Sequence, residues 1–446
     1  MTSGPTLETK RRAISDLGRQ MLADELTKGT GGNLSAQAGD LVAISPSGVP
    51  YDEIDPEDVV VVDADGEVVA GDHDPSTEYP MHSHLIRARE DVGGVVHTHS
   101  PYASTFASLG QPVPASHYLI AFVGDRIPVA AYEKPASTEL ARAALEALGE
   151  EYTACLLANH GVIATGPTIE AAYEVALMVE YCARIHYQAL AIGDPVLLED
   201  AEVAHLMDRF ADYGQTSGGS TSPEADVSVP DERLAELDPQ RAAVSEYGRE
   251  MLARGLTKGT GGNISARDGD LVAISPSGMP YDEIDPEDVP LVTPAGEHAA
   301  GDRRPSSEFR MHTGILRERA DAGAVVHTHS PYASTFASLD EPIPASHYLV
   351  AFAGEEIPVS GYATYGTQEL ADLALEALGT EHDACLLKNH GVIALGEDVA
   401  DAFEVALMVE YCARIEFQAR NVGEPVRLPA EEVRRLRGVF EEYGQN

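Results

Sequence analysis

Basic residues are scarce in this chain. Of 446 residues only 30 are Lys or Arg, against 73 Asp or Glu, which leaves a formal net charge of −43. That deficit excludes nucleic acid and anionic membrane surfaces as partners, because both need a basic footprint. Cysteine is rarer still. Cys155, Cys182, Cys385 and Cys412 show no CxxC spacing, so a disulfide framework or a cysteine-rich zinc site is excluded and buried free thiols are expected. No apolar run approaches membrane-spanning length, and the opening "MTSGPTLETKRRAISDLGRQ" has no signal-peptide core, so a cytoplasmic protein is expected. Neither a GK[ST] phosphate loop nor a GxGxxG turn after a strand is present, which removes the common nucleotide sites.

The apolar share, 43%, is that of a folded protein. Carboxylates at this density stay hydrated in concentrated salt, which screens their repulsion, so a halophilic source is expected.

A repeat organises the chain. "VVHTHSPYASTFASL" runs from Val95 to Leu109 and returns from Val325 to Leu339, an offset of 230 that aligns almost the whole sequence without gaps. Two copies this long are whole domains rather than solenoid units. The boundaries fall at residues 1–214 and 235–446, joined by a linker, 215–234, rich in Gly, Ser, Pro and acid. Within copy one the periodicity predicts a helix over about Leu7 to Leu26 and strands at "LVAIS" and "VVVVDADGEVV", the latter turning at Asp65 and Gly66. A helix then follows at "STEYPMHSHLIRARE", capped by Ser76 or Thr77, before strands at "GGVVHTH" and "ACLLANHG" and a long final helix. Strands alternating with helices predict an α/β sandwich.

His97 and His99 flank one residue at the end of an apolar strand, so both imidazoles face one side. His160, in "LLANHG", is the third candidate, and His327, His329 and His390 repeat the set. Three neutral imidazoles with an open fourth position describe a catalytic zinc site. Five histidine pairs keep register between the copies (His82, His97, His99, His117, His160 and their partners), whereas the other six histidines face a different residue. Glu78 and Glu308 can fill the fourth position and act as general base, or can simply favour a helix start. His82, four residues on, is expected to contact Glu78 or support the site from behind. "GTGGN", "SPSG" and "PSTE" are small, hydroxyl-bearing, glycine-containing loops that suit a phosphate.

In order along both copies, "GTGGN", "SPSGMPYDEI", "PSSEFRMH", "VVHTHSPYA", "IPASHYLVAFAG", "YATYGTQEL" and "LLKNHGVI" resemble the class II aldolase/adducin-head family. The resemblance implies a three-layer α/β/α sandwich around a mainly antiparallel sheet, in two tandem copies, with domains in a four-fold ring and sites between neighbours. For this chain it implies a homodimer forming a pseudo-four-fold ring. It implies zinc, or another divalent metal such as Mn2+ or Co2+, on His97, His99, His160, His327, His329 and His390, with Glu78 and Glu308 sharing the metal and then serving as base. Thr30, Asn33, Ser47, Gly48, Ser76 and Thr77 match the phosphate pocket, as do Thr260, Asn263, Ser277, Gly278, Ser306 and Ser307. Tyr118 and Tyr348 match a proton-donating tyrosine that reaches a neighbouring site.

The implied reaction is zinc-dependent cleavage of L-fuculose 1-phosphate, or a similar phosphorylated ketose, to dihydroxyacetone phosphate and a small aldehyde such as L-lactaldehyde. L-Ribulose-5-phosphate 4-epimerases and methylthioribulose-phosphate dehydratases share this metal site, and the epimerase pattern has Asp where Glu78 and Glu308 stand. Adducin heads keep the fold as an interaction module without the metal, against which all six histidines argue. The copies differ at a lid. Tyr365, matching an aromatic that reaches the neighbouring site, faces Pro135 in copy one, and Arg267 faces Gln37. Unequal sites are therefore expected, with the copy-one cluster favoured if copy two closes over it.

Overall fold

Alternation of Val, Ile and Ala along short segments builds one sheet per repeat. The computed structural model describes residues 6–63, 66–213 and 225–443. Asp65 of the expected turn and residues 215–224 of the expected linker lie outside the described residues. Two compact units result, Met1–Ala115 with Leu119–Arg184, and Ser116–Tyr118 with Ile185–Asn446.

The first repeat contributes β1 (Asn33–Ala38), β2 (Leu41–Ile44), β3 (Val60–Val62), β4 (Val68–Ala70), β5 (Gly94–Thr98), β6 (Val113–Pro114), β7 (Arg126–Ile127), β8 (Val129–Ala130), β9 (Ala154–Leu157) and β10 (Gly161–Gly166). Eight of these form a sheet in the order β4-β3-β2-β1-β5-β10-β9-β8, while β6 and β7 pair separately. The sheet is antiparallel except at one edge, where β8 runs parallel to β9. The second repeat supplies β11 (Asn263–Asp268), β12 (Leu271–Ile274), β13 (Leu291–Val292), β14 (His298–Ala300), β15 (Ala324–Thr328), β16 (Val359–Ser360), β17 (Ala384–Leu387) and β18 (Gly391–Gly396). They follow the same order, again with one parallel edge pair.

Around the sheets lie α1 (Leu7–Ala23), α2 (Tyr79–Ala88), α3 (Pro101–Leu109), α4 (Thr138–Leu148), α5 (Ile169–Ile192), α6 (Asp200–Tyr213), α7 (Asp231–Ala235), α8 (Asp238–Ala253), α9 (Phe309–Glu318), α10 (Pro331–Leu339), α11 (Gln368–Leu378), α12 (Val399–Val422) and α13 (Ala430–Tyr443). Period two decides which layer each strand residue meets. In the second unit Val326 packs with Val244, Phe336 and Val409 of α8, α10 and α12. Its neighbour Val325 packs on the opposite face with Met311, Ile315 and Leu370 of α9 and α11. All are essentially buried, and each large apolar side chain so placed contributes about 1.5–3 kcal/mol. The result is the expected α/β/α sandwich, with a sheet that is mixed at one edge. All four cysteines are buried and free.

Part of the expected linker is fixed. Asp226 and His298 exchange hydrogen bonds through Asp226 N to the His298 carbonyl (2.8 Å) and His298 N to Asp226 Oδ2 (2.9 Å). Arg233 pairs with Asp268 and Asp270, both at 3.1 Å. Val227, Val229 and Leu234 also pack, partly buried, against the core of the second unit, so charge and apolar contact anchor the segment together. No helix among the described residues is long and apolar enough to cross a membrane.

Candidate metal and active sites

Strand β5 lies mid-sheet between β1 and β10. His97 follows Val95 by two residues and so points to the α2 side, where Glu78 occupies the N-cap of α2. The expected cap at Ser76 or Thr77 is not formed. Ser76 Oγ instead accepts from Glu78 N at 3.3 Å, and the helix begins at Tyr79. His160 comes from the β9–β10 turn, in which Asn159 takes φ 56°, a left-handed conformation that Asn tolerates. A Cβ on the next residue, Gly161, would sit 2.3 Å from the Thr98 carbonyl oxygen, so glycine is needed for the turn to close on β5.

In each repeat the three histidines offer ligand atoms all within 4.8 Å of one another. His97 Nδ1 donates to the Val162 carbonyl at 2.7 Å, which leaves Nε2 with its lone pair. That Nε2 faces His99 Nε2 at 3.0 Å and Glu78 Oε2 at 3.1 Å. His160 Nε2 lies 3.5 Å from Glu78 Oε1. In the second repeat His327 Nδ1 donates to the Val392 carbonyl at 2.8 Å, and its Nε2 lies 3.0 Å from His329 Nε2 and 3.3 Å from Glu308 Oε2. His390 Nε2 and Glu308 Oε1 sit 3.5 Å apart, both buried and both without a hydrogen-bond partner among the described residues.

Lone pairs converging on a carboxylate repel unless a cation lies between them, so these residues fit a divalent metal ion. Protonation fits poorly. Burial, then His97 and His160, push His99 down to about 4, and burial, then His327, holds His329 and His390 well below the usual imidazole value. Neutral imidazole is the ligand form. Burial would raise the Glu78 carboxyl, but the hydrogen bond and charge of His97, together with Asn33 and His160, hold it well below the ordinary carboxylate range.

Behind each glutamate runs a buried chain. Asn33 Nδ2 donates to Glu78 Oε2 at 2.9 Å, His82 Nε2 donates to Asn33 Oδ1 at 2.5 Å, and Ser35 Oγ donates to His82 Nδ1 at 2.7 Å. His82 therefore supports Glu78 through Asn33 rather than by direct i,i+4 contact. Burial, then His97, lowers it to about 3. Asn263, His312, Ser265 and Glu308 repeat the chain.

One N–H of Asn33 or Asn263 is committed to the glutamate. The loops holding Ser47 and Ser76 lie side by side, joined by Ser47 N to the Asp74 carbonyl (2.9 Å) and Ser76 N to the Ser45 carbonyl (3.1 Å). Thr30, Ser47, Gly48 and Thr77 are exposed, as are Ser277 and Gly278, while Thr260 and Ser307 are half-buried and Ser306 is buried. The glycines of "GTGGN" serve clearance as well: a Cβ at Gly32, φ 72°, would meet the His97 carbonyl oxygen at 2.5 Å.

The two clusters differ in closure. His99 is exposed and His160 half-buried, whereas His327, His329 and His390 are all buried. In the second unit Tyr118 Oη lies 3.4 Å from His329 Nε2, with its ring 4.3 Å from that of His390. Tyr348, its counterpart, is 47% exposed and packs beside His347 and Phe440. Tyr365, expected to reach a neighbouring site, lies with its own repeat's cluster instead, its ring 5.5 Å from Tyr118. Within the chain the lid loop thus lies near Tyr118 and Glu308 of the second-repeat cluster. Phe210, stacked on Tyr365 at 5.3 Å, was missed in the sequence, as was Glu202, which accepts from Tyr362 Oη and Thr364 Oγ1, each at 2.7 Å.

Residues 12–187 and 242–417 each match the family model described as class II aldolase and adducin N-terminal domain. The chain belongs to this family. It is similar to a 5-deoxy-D-ribulose 1-phosphate aldolase of Bacillus thuringiensis, 49% identical over 211 residues, which covers 47% of this chain and 99% of that protein. It is also similar to an L-fuculose phosphate aldolase of Escherichia coli, 38% identical over 197 residues, covering 44% and 91%. A solved L-fuculose 1-phosphate aldolase is 40% identical, covers 45% of this chain and 96% of its own, and has a TM-score of 0.44.

Proposed function

We propose that this class II aldolase cleaves L-fuculose 1-phosphate, or a similar ketose 1-phosphate, between C3 and C4 to dihydroxyacetone phosphate and a small aldehyde such as L-lactaldehyde. The observation that carries the reading is the second-repeat cluster, where three neutral imidazoles, a buried carboxylate and a phenol converge. A divalent ion, with zinc as the first choice for three imidazoles and an open position, supplies Lewis-acid stabilisation of the negative charge that builds on the ketone oxygen. Bond cleavage also requires a proton off the C4 hydroxyl and a proton onto C3. Glu308 and Tyr118 are the groups able to exchange them, and in the first repeat Glu78 holds the matching place. The hydroxyls of the Ser277 and Ser306 loops receive the phosphate.

The relative named for 5-deoxy-D-ribulose 1-phosphate favours a second, five-carbon substrate. Both ketoses share the dihydroxyacetone phosphate half and end in a methyl group, so they differ only in the aldehyde released. Tyr348, exposed where Tyr118 is buried, is free to complete the first-repeat cluster of another copy of the chain, which supports a homo-oligomer.

The test is release of dihydroxyacetone phosphate from each ketose in molar KCl, with chelator and then with zinc. Chelator-sensitive release that zinc restores supports the reading, and the faster ketose names the aldehyde. Absence of release from folded, zinc-loaded protein refutes it.

A further inference from the structure

Helix α6 belongs to the first repeat in sequence but to the second unit in structure. Glu202 ties it to the lid loop at Tyr362 and Thr364, and Phe210 stacks on Tyr365. Between these anchors stands Arg209. Its guanidinium lies 4.5 Å over the Tyr365 ring, and its Nε is buried without a hydrogen-bond partner among the described residues. No carboxylate pairs with it among those residues, although the chain holds more than two acids for every base. The space beside Gly366 locates it further: a Cβ there would meet the Ser307 carbonyl oxygen at 2.7 Å and Arg209 Nη2 at 3.4 Å. The guanidinium therefore borders the loop that precedes Glu308.

We infer that Arg209 binds the phosphate of the substrate at the second-repeat site, a specificity determinant lent to that site by the first repeat. The assignment rests on the aldolase reading above. Its physical ground is charge. The Thr260, Ser277 and Ser306 loops offer hydroxyls and backbone N–H groups, with Lys258, Arg304 and Arg310 adjoining them in sequence, and a phosphate dianion entering a chain of net charge −43 favours a further cation, for which the Arg209 guanidinium, with its unpartnered Nε, has the right geometry. The cation–π seat on Tyr365 holds the side chain in place before the ligand arrives. At the 230-residue offset Arg209 corresponds to Val439, whereas Glu202 and Phe210 correspond to Glu432 and Phe440. Tyr365 likewise corresponds to Pro135. The anchors are kept and the cation is not, so a first-repeat site completed by another copy's α13 would bind phosphorylated ligands more weakly.

The experiment uses the full chain, zinc-loaded, in the H97A background so that the second-repeat site alone reports. Titration calorimetry compares dihydroxyacetone phosphate with unphosphorylated dihydroxyacetone in H97A and after adding R209M, which keeps the aliphatic stem on Tyr365, or R209K, which keeps the charge. R209M is expected to weaken dihydroxyacetone phosphate binding about 10- to 100-fold, with dihydroxyacetone unchanged and R209K intermediate. KM for the ketose phosphate should rise by a similar factor, with kcat changed less. Equal losses for both ligands would show that Arg209 merely holds Tyr365, and unchanged phosphate binding would remove the assignment outright. If H97A with Arg209 intact neither binds dihydroxyacetone phosphate nor cleaves ketose phosphate, the aldolase reading of this site falls and the assignment with it. Cleavage by H97A that R209M leaves untouched overturns the assignment alone.

Discussion

Tyr118 and His329 are 211 positions apart in sequence, yet the phenol oxygen lies 3.4 Å from His329 Nε2. The approach is built by the backbone. Tyr118 N donates to the Asn389 carbonyl at 3.0 Å, and Asn389 Nδ2 donates to the Ser116 carbonyl at 2.9 Å. His117 Nε2 donates to the carbonyl of His390 at 2.5 Å. Three residues of the first repeat are thus pinned to the turn that carries His390 of the second cluster, and burial keeps His117 neutral, at about 3.

Replacing Tyr118 with Phe should remove a proton donor while leaving the metal in place. Expected is a fall in kcat of about 10²–10⁴-fold, with KM and metal content close to wild type. Steady-state kinetics beside elemental analysis checks this. Y348F removes a hydroxyl whose ring packs beside His347 and Phe440 rather than, among the described residues, a histidine cluster, and should cost far less in the isolated chain. Equal losses in the two variants would mean that Tyr118 is not the donor.

Metal content should separate the clusters. Two divalent ions per chain are expected, one in each of H97A and H327A, and none in the double variant. Activity should not divide evenly. H327A disables the site that has Tyr118 and Tyr365 in place and should lose about 10-fold or more, whereas H97A should keep most of the turnover. Equal losses would show that closure over the second cluster confers no advantage.

Much of this was legible in the sequence. The apolar run in "GGVVHTH" gave the strand and the shared direction of His97 and His99. The repeat located the second trio without further reasoning. Spacing placed Asn33 beside the site but could not show that His82 and Glu78, 49 and 45 positions away, hold both ends of its amide. Glycine in "GTGGN" suggested an anion cradle, whereas its tight approach to His97 is a tertiary fact. Helix α6 was out of reach for the same reason. Periodicity reports which face of a helix is apolar and not that Glu202 will meet Tyr362, 160 residues on.

The excess of carboxylates makes stability depend on salt. Exposed pairs such as Arg19 with Asp16 and Arg435 with Glu432 offset the repulsion locally, and pairs of this kind contribute about 0–1 kcal/mol each. Screening acts on the whole surface at once. Between about 0.1 and 2 M KCl the Debye length falls from about 10 Å to under 3 Å, and Tm should rise by about 5–10 °C. Differential scanning fluorimetry would show it, and a flat or falling Tm would mean that the charges are already balanced locally.

Glu180 should leave a mark on the pH dependence of stability. Its carboxylate accepts from the backbone N–H groups of Tyr102 and Ala103 at 2.9 and 2.8 Å, holding the start of α3 just beyond His99. Burial pushes its pKa up from 4.5 to about 7, against the lowering effect of those N–H groups, Ser100 and Arg184. In the folded chain the group therefore keeps a proton that the unfolded chain releases above about 4.5. Its contribution to stability is fully present below that value and is lost as pH rises through about 7. Gln at this position cannot titrate. In chelator, so that proton release on metal binding does not intervene, wild type should lose about 1–3 kcal/mol relative to E180Q between about pH 5 and 8. Denaturant unfolding at the two values measures the difference, and parallel pH profiles for the two proteins would mean that Glu180 is already ionised in the fold.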